Sequence, residues 1–232
     1  EQYGLVTGDG IRRIDLKSLN NVRIKNERLL CFYNSIIYNG KVLSNDTYKD
    51  ESKVKYYDVN ELIAAKEGEA PAVTELDIIQ KQKINFVLAK DGNVYTLESA
   101  DNGCNIVKIK NDFTLEKVFA NFQPAKGPYH SSPTIGMVAS ETENIIYLVS
   151  TDGAIYKYIL GDSDSLKAPF IAAESGVSIT APLQLNQQSG ELYVTYTEEL
   201  KDESKIVVYS KDGKVLHTVD CGESVPSQIL FN

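Results

Sequence analysis

Between residues 140 and 160 the chain reads SETENIIYLVSTDGAIYKYIL: two apolar runs, 145–150 and 154–160, on either side of Thr151-Asp152-Gly153. Ile145, Tyr147 and Val149 share one face of the first run, and Ala154, Tyr156 and Tyr158 share one face of the second. Asp-Gly between β-rich runs predicts a hairpin with a type I′ turn, because both residues tolerate a positive φ. β-branched and aromatic residues stand on both faces, which predicts a sheet covered by neighbouring sheets on each side.

The same unit recurs. Aligned on its second strand, it stacks Tyr3, Val42, Tyr95, Tyr147 and Tyr193 in one column, at spacings of roughly 40 to 50 residues that use up the whole chain. That period, with several short strands per repeat, predicts an all-β fold: a β-propeller of four-stranded antiparallel blades. The third unit reads as strands at 84–90, 93–99, 105–110 and 114–119, and the fourth at 134–139, 145–150, 154–160 and 167–172. The fifth reads as 182–186, 191–197, 205–210 and 214–219. The second has 35–38, 41–44 and 54–59, then a stretch at 60–68 that suits a helical turn or a poor fourth strand. The first has 3–7, 11–16 and 22–25 but no first strand, and 227–231 is an apolar run with no partner after it. If that run becomes the inner strand of the first blade, both gaps close and no open edge is left. The expectation is therefore one domain over residues 1–232, a ring of five blades closed by the C-terminal strand. The alternative is an incomplete seven-bladed propeller.

Composition sets limits on function. The 232 residues carry a formal net charge of −8, which argues against broad binding to nucleic acid or to an anionic membrane. No apolar run reaches the roughly 18 residues of a transmembrane helix. The chain begins at Glu1 with no signal-type apolar region, as expected of a mature or trimmed protein whose targeting segment has gone. Cys31, Cys104 and Cys221 form no C-x-x-C pair and are expected to be small buried hydrophobes.

The segment KIVVYSKDGKVLHTVDCGESVPSQILFN, with NIIYLVSTDGAIYKYILGDSDSLKAPFI before it, resembles the YncE-like β-propeller proteins of gut Bacteroidetes. The likeness lies in the strand-turn-strand around Lys211-Asp212-Gly213-Lys214, the closing strand after Gly222, and the IDL and YDV strand ends at 14–16 and 57–59. It is clearest from residue 144 onward. It implies a cell-envelope lipoprotein, outer-membrane-anchored or periplasmic after signal removal, of a family whose function is largely unknown. Some relatives bind ligands at the cell surface, cobalamin among them, but no cobalamin motif transfers to residues of this chain.

Alternation of antiparallel strands puts the loops between second and third strands on the same end as the links between blades. That end gathers 8–10, 45–52, 99–103, 151–153 and 198–204 with the links 121–133, 173–181 and 221–226. The richest is NFQPAKGPYHSSP at 121–133. Phe122, Tyr129 and His130 offer stacking surface there, and Lys126, Ser131 and Ser132 offer polar contacts. Phe122, Lys126, Tyr129, His130 and Ser132 are the candidate ligand-binding residues, for a small molecule, a glycan or a protein partner. The bland reading of the segment is a Pro-bounded connection whose aromatics cover the end of the core.

Familiar catalytic and metal patterns are missing. Gly161–Ser165, GDSDS, alternates Asp162 and Asp164 as calcium loops do, but lacks the later ligands. The inner strands SIIYN, KINFVLAK, PTIGMVAS, APLQLNQ and SQILFN contain no Asp or Glu, so paired axial carboxylates are absent. There is no G-x-S-x-G elbow, no phosphate-cradling loop and no His-containing metal motif. The sequence thus favours a non-enzymatic binding or scaffold module with no cofactor or metal. The alternatives are a hydrolase or lyase using loop carboxylates such as Asp101, Asp152 and Glu223, or a protein–protein interaction platform.

Overall fold

The computed structural model describes residues 3–8, 10–24, 35–44, 52–69, 71–80, 86–125, 136–198, 203–226 and 229–231. The chain divides into two compact units, Glu1–Phe86 and Val87–Asn232. All sheets are antiparallel, and the one α-helix among the described residues is six residues long.

The first unit holds two sheets. Strands β1 (Tyr3–Gly8), β2 (Gly10–Asp15) and β3 (Asn21–Arg23) form one, in that order. The second contains β4 (Ile36–Tyr38), β5 (Lys41–Ser44), β6 (Ser52–Asp58) and β7 (Thr74–Gln80). Between β6 and β7, helix α1 (Val59–Ala64) begins where Asp58 accepts from the backbone N–H groups of Asn60 and Glu61, satisfying two donors that a helix start leaves open. Stretch 60–68 is therefore partly helical, and the fourth strand lies beyond it at β7. Leu62 of the helix is buried with Ile24, Val42, Tyr57 and Ala65, forming the core cluster of this unit.

The second unit holds three sheets. The third sheet orders β8 (Val87–Leu88), β9 (Val94–Ala100), β10 (Gly103–Ile109) and β11 (Leu115–Phe122) from one edge to the other. The fourth has β12 (Met137–Ala139), β13 (Ile145–Val149) and β14 (Ile155–Ile159). In the fifth, β15 (Val177–Ile179) and β16 (Gln184–Leu185) both pair with β17 (Leu192–Glu198), followed by β18 (Ser204–Tyr209) and β19 (Val215–Gly222). The inner strand of this sheet is thus one interrupted line, and its first half, β15, falls where the sequence suggested a link.

The aligned column holds across the sheets. Tyr95 faces Val87 on one side and Lys108 on the other, Tyr147 faces Val138 and Lys157, and Tyr193 faces Gln184 and Val208. Strand β13 is buried at all five positions, as a sheet covered on both sides requires. Its Ile145, Tyr147 and Val149 pack with Leu192, Val194 and Tyr196 of β17 in one apolar cluster of this unit. Each such side chain, fully buried, stabilises by about 1.5–3 kcal/mol.

Two local expectations are corrected. The Asp-Gly turn of the fourth sheet is a three-residue connection: Ser150 N–H donates to the Ala154 carbonyl, Gly153 N–H donates to the Ser150 carbonyl, and only Gly153 (φ 84°) is left-handed. A type I turn closed by a left-handed residue fits that pattern, and the true type I′ pair is Asn39-Gly40, at φ 46° and 72°. The expected strand at 167–172 is reduced to a single bridge to β14, and a 3-10 helix, Ser163–Leu166, started by the Asp162 carboxylate on Asp164 N–H, precedes it. Pro169 has no N–H to give a ladder, and the chain rejoins the sheet only at the Ile155–Ile171 bridge.

The C-terminal run forms no ladder among the described residues. Ile229 N–H donates to Gln184 Oε1 at 2.6 Å, and the Phe231 ring lies 5.0 Å from that of Tyr193. Both contacts are with the fifth sheet.

Candidate functional site

In the second unit the 2–3 loops and the links do gather at one end, and hydrogen bonds tie them together. Gln123 Nε2 donates to the Asn102 carbonyl at 2.6 Å, and Thr151 N–H donates to the Gln123 carbonyl at 2.9 Å. One link thereby joins the 2–3 loop of the third sheet to that of the fourth. Further round, the Ser204 hydroxyl donates to the Ser224 carbonyl, and Lys205 Nζ pairs with Glu174 at 2.9 Å.

The link itself has an unusual path. Ala125 N–H donates to the Val149 carbonyl at 2.9 Å, while Val149 N–H donates to the Gly136 carbonyl at 3.2 Å. A strand residue points both backbone groups to the same side, so Ala125 and Gly136 meet the same residue of β13. The described residues that flank 126–135 therefore bond to one place on the inner line of the fourth sheet, at the link end. Lys126, Tyr129, His130 and Ser132 lie outside the described residues.

Phe122 is the member of the candidate set that is described, and it is not an open platform. It ends β11, opposite Cys104, is 6 % exposed, and packs edge-on against Tyr156 with centroids 5.8 Å apart. The sequence ended the strand at residue 119, before the bulges of the β10–β11 ladder that carry it on to 122.

The loop carboxylates hold unlike places. Asp152 accepts from the Ser150 hydroxyl and from Ala154 N–H, and these bonds hold its carboxyl below the usual range. It is a turn brace. Asp101 and Glu223 make no hydrogen bond or ion pair among the described residues, and no group of three His, Cys, Asp or Glu residues there could hold a metal. Cys104 is buried, which pushes its thiol up to about 11, whereas Cys221 on β19 is partly exposed.

The opposite end carries an open depression of about 410 Å³ lined by Asn93, Lys108, Lys110, Asn111 and Asp112. Its charges are already matched. Lys108 pairs with Asp91 at 2.8 Å and Lys110 with Glu116 at 2.9 Å. Burial raises the Asp91 pKa, but bonds from Lys108 and from the Tyr95 hydroxyl outweigh it and keep the carboxylate ionised. Asp112 Oδ1 is taken by the Thr114 hydroxyl and N–H. Nothing in this lining is poised for a ligand.

Consecutive antiparallel sheets of meandering strands, with links and 2–3 loops at one end, define a β-propeller fold. Solved structures agree with that class. The chain is similar to puromycin hydrolase (13% identity, TM-score 0.60, covering 94% of this chain and 34% of that one). It is likewise similar to apo prolyl oligopeptidase B from Galerina marginata (12% identity, TM-score 0.58, covering 98% and 33%). At such identities the likeness concerns the fold alone, and the chain spans about a third of the length of these proteins. The chain belongs to the DUF5074 family, a domain of unknown function whose model matches residues 1–232. No curated protein sequence matches it.

Proposed function

We propose that this chain is a non-enzymatic ligand-binding or scaffold module of the bacterial cell envelope, taking its ligand on the link end of the blades. The observation that carries the reading is the meeting of Ala125 and Gly136 on Val149. Ala125 and Gly136, the described residues on either side of 126–135, both bond to one residue of a fully buried strand. Loops held by a rigid scaffold are where binding residues concentrate. Phe122 serves the site from beneath, as core. The family to which the chain belongs has no assigned activity. Placement in the envelope rests on the resemblance to YncE-like proteins.

A screen of the intact chain against glycans, cobalamins and other cofactors tests the reading. A ligand whose affinity falls with Tyr129→Ala supports it. A ligand that ignores Tyr129→Ala and is lost with Asp112→Ala contradicts it.

A further inference from the structure

Asp152, Ser150 and Asp220 bond their own backbone at the link end, but other polar side chains of the second unit differ between its two ends. At the turn end they are spent on their own backbone: Asp91 on Asn93, Asp112 on Thr114, Asn186 on Gln188 and Ser189, Ser210 on Asp212 and Lys214. At the link end, the side chains of Asp101, Asn102, Asn121 and Thr151 make no hydrogen bond among the described residues. These four belong to three segments that the Gln123 bonds hold together.

Gln123 is also oriented. Its Nε2 donates to the Asn102 carbonyl at 2.6 Å and, at the limit of bonding distance, to the Asn121 carbonyl at 3.5 Å. Two carbonyl acceptors settle which end of the amide is nitrogen. Oε1 then points away with no partner among the described residues. The position depends on Gly103 (φ 121°), where a Cβ would collide with Gln123 Nε2 and the Phe122 carbonyl oxygen. Asn121 stands left-handed at φ 61°, a conformation costly for most residues but tolerated by Asn.

We infer that Gln123 anchors a subsite for an uncharged carbohydrate, with Asn102, Asn121 and Thr151 as its neighbours. This rests on the binding-module reading and names its ligand class. The donor set decides the class by chemistry. An amide oxygen fixed in place accepts from a hydroxyl, and the amides of Asn102 and Asn121 both donate and accept, as vicinal hydroxyls do. An anion would meet the Asp101 carboxylate and a chain of net charge −8. A cation would find too few carboxylates. A flat aromatic ligand would find Phe122 buried. Because the acceptor is held before binding, little ordering cost falls on the Gln123 side chain.

The test is an array of uncharged hexose oligosaccharides, followed by calorimetry on the intact chain with the tightest one. Gln123→Leu should weaken binding roughly tenfold, the effect of one neutral hydrogen bond, with the melting temperature lowered only slightly by the lost bond to Asn102 and the chain still folded. Gly103→Ala should weaken it too while leaving Gln123 in the sequence, and Asp112→Ala should leave it unchanged. No oligosaccharide bound, or one indifferent to Gln123→Leu, overturns the inference. If a non-sugar binds instead and depends on Tyr129, this inference fails and the binding-module reading stands. If the ligand depends on Asp112, both fail.

Discussion

Lys211 Nζ lies 2.6 Å from Glu143 Oε1, joining a turn of the fifth sheet to a turn of the fourth. The contact is reinforced by Lys157, whose Nζ donates to the Lys211 carbonyl at 3.3 Å and stands 5.0 Å from the centre of the Phe170 ring. Gln187 adds a second link, accepting from Glu141 N–H and donating to the Ala139 carbonyl. Neighbouring sheets are therefore joined at the turn end by polar clasps and along their faces by apolar packing.

The clasp is expected to matter little to stability and to fade with acid. The Lys211 bond holds the Glu143 carboxyl below its ordinary 4.5. A depressed carboxyl contributes stability above the unfolded pKa, and loses it as pH falls through the folded one. Both partners are well exposed, so a Glu143→Gln, Lys211→Met double-mutant cycle should give a coupling below about 1 kcal/mol, smaller still in high salt. Urea melts at pH 7 and pH 3 measure it.

Glycine at the left-handed turn positions is worth more. Gly153→Ala should cost about 1 kcal/mol, the price of a left-handed non-glycine residue, because a new Cβ finds nothing nearer than Ala173 at 4.0 Å. Gly213→Ala should cost more, since there the Cβ would meet the Phe170 ring and carbonyl at 3.2 Å. Thermal melts rank the two. Phe113, at φ 64°, occupies the equivalent place in the β10–β11 turn.

Tyr196 and Tyr209 share a buried hydrogen bond of 3.0 Å between their hydroxyls. Either single change to Phe should cost about 1–2 kcal/mol, because it strands the other hydroxyl, and the double change should be less harmful than the sum. Burial first, and then the bond to Tyr209, push the Tyr196 pKa well above its ordinary 10.0. Its contribution to stability is therefore complete below pH 10 and is lost as pH rises toward the folded value. Alkaline unfolding followed at the tyrosinate absorption band checks the sign.

The strands most legible in the sequence are those where alternation meets a glycine turn. β5, β9, β13 and β17 fall within a residue or so of their expected bounds, and each carries its member of the aligned column, Val42, Tyr95, Tyr147 or Tyr193. Strand β7 escaped notice although Leu76, Ile78 and Gln80 alternate inward. Its last buried position is polar, and the Lys-Gln-Lys after it resembles a loop. The 3-10 helix was hidden because Asp162 and Asp164 suggest an exposed turn, while the capping that shapes it is a matter of side-chain direction. The link end was legible from strand parity alone. Gln123 was not: its importance comes from the Asn102 carbonyl, 21 residues away in sequence, and from the close approach that the missing Cβ of Gly103 allows.

The proposed location of function can be put to one measurement. Titrate the tightest ligand from the glycan and cofactor screen into two double variants, Tyr129→Ala with Ser132→Ala at the link end, and Asp112→Ala with Asp164→Ala at the turn end. The expected result is a loss on the order of 2 kcal/mol in the first, if Tyr129 is an anchor, and no change in the second. Affinity that survives the first pair and falls with the second would contradict the assignment.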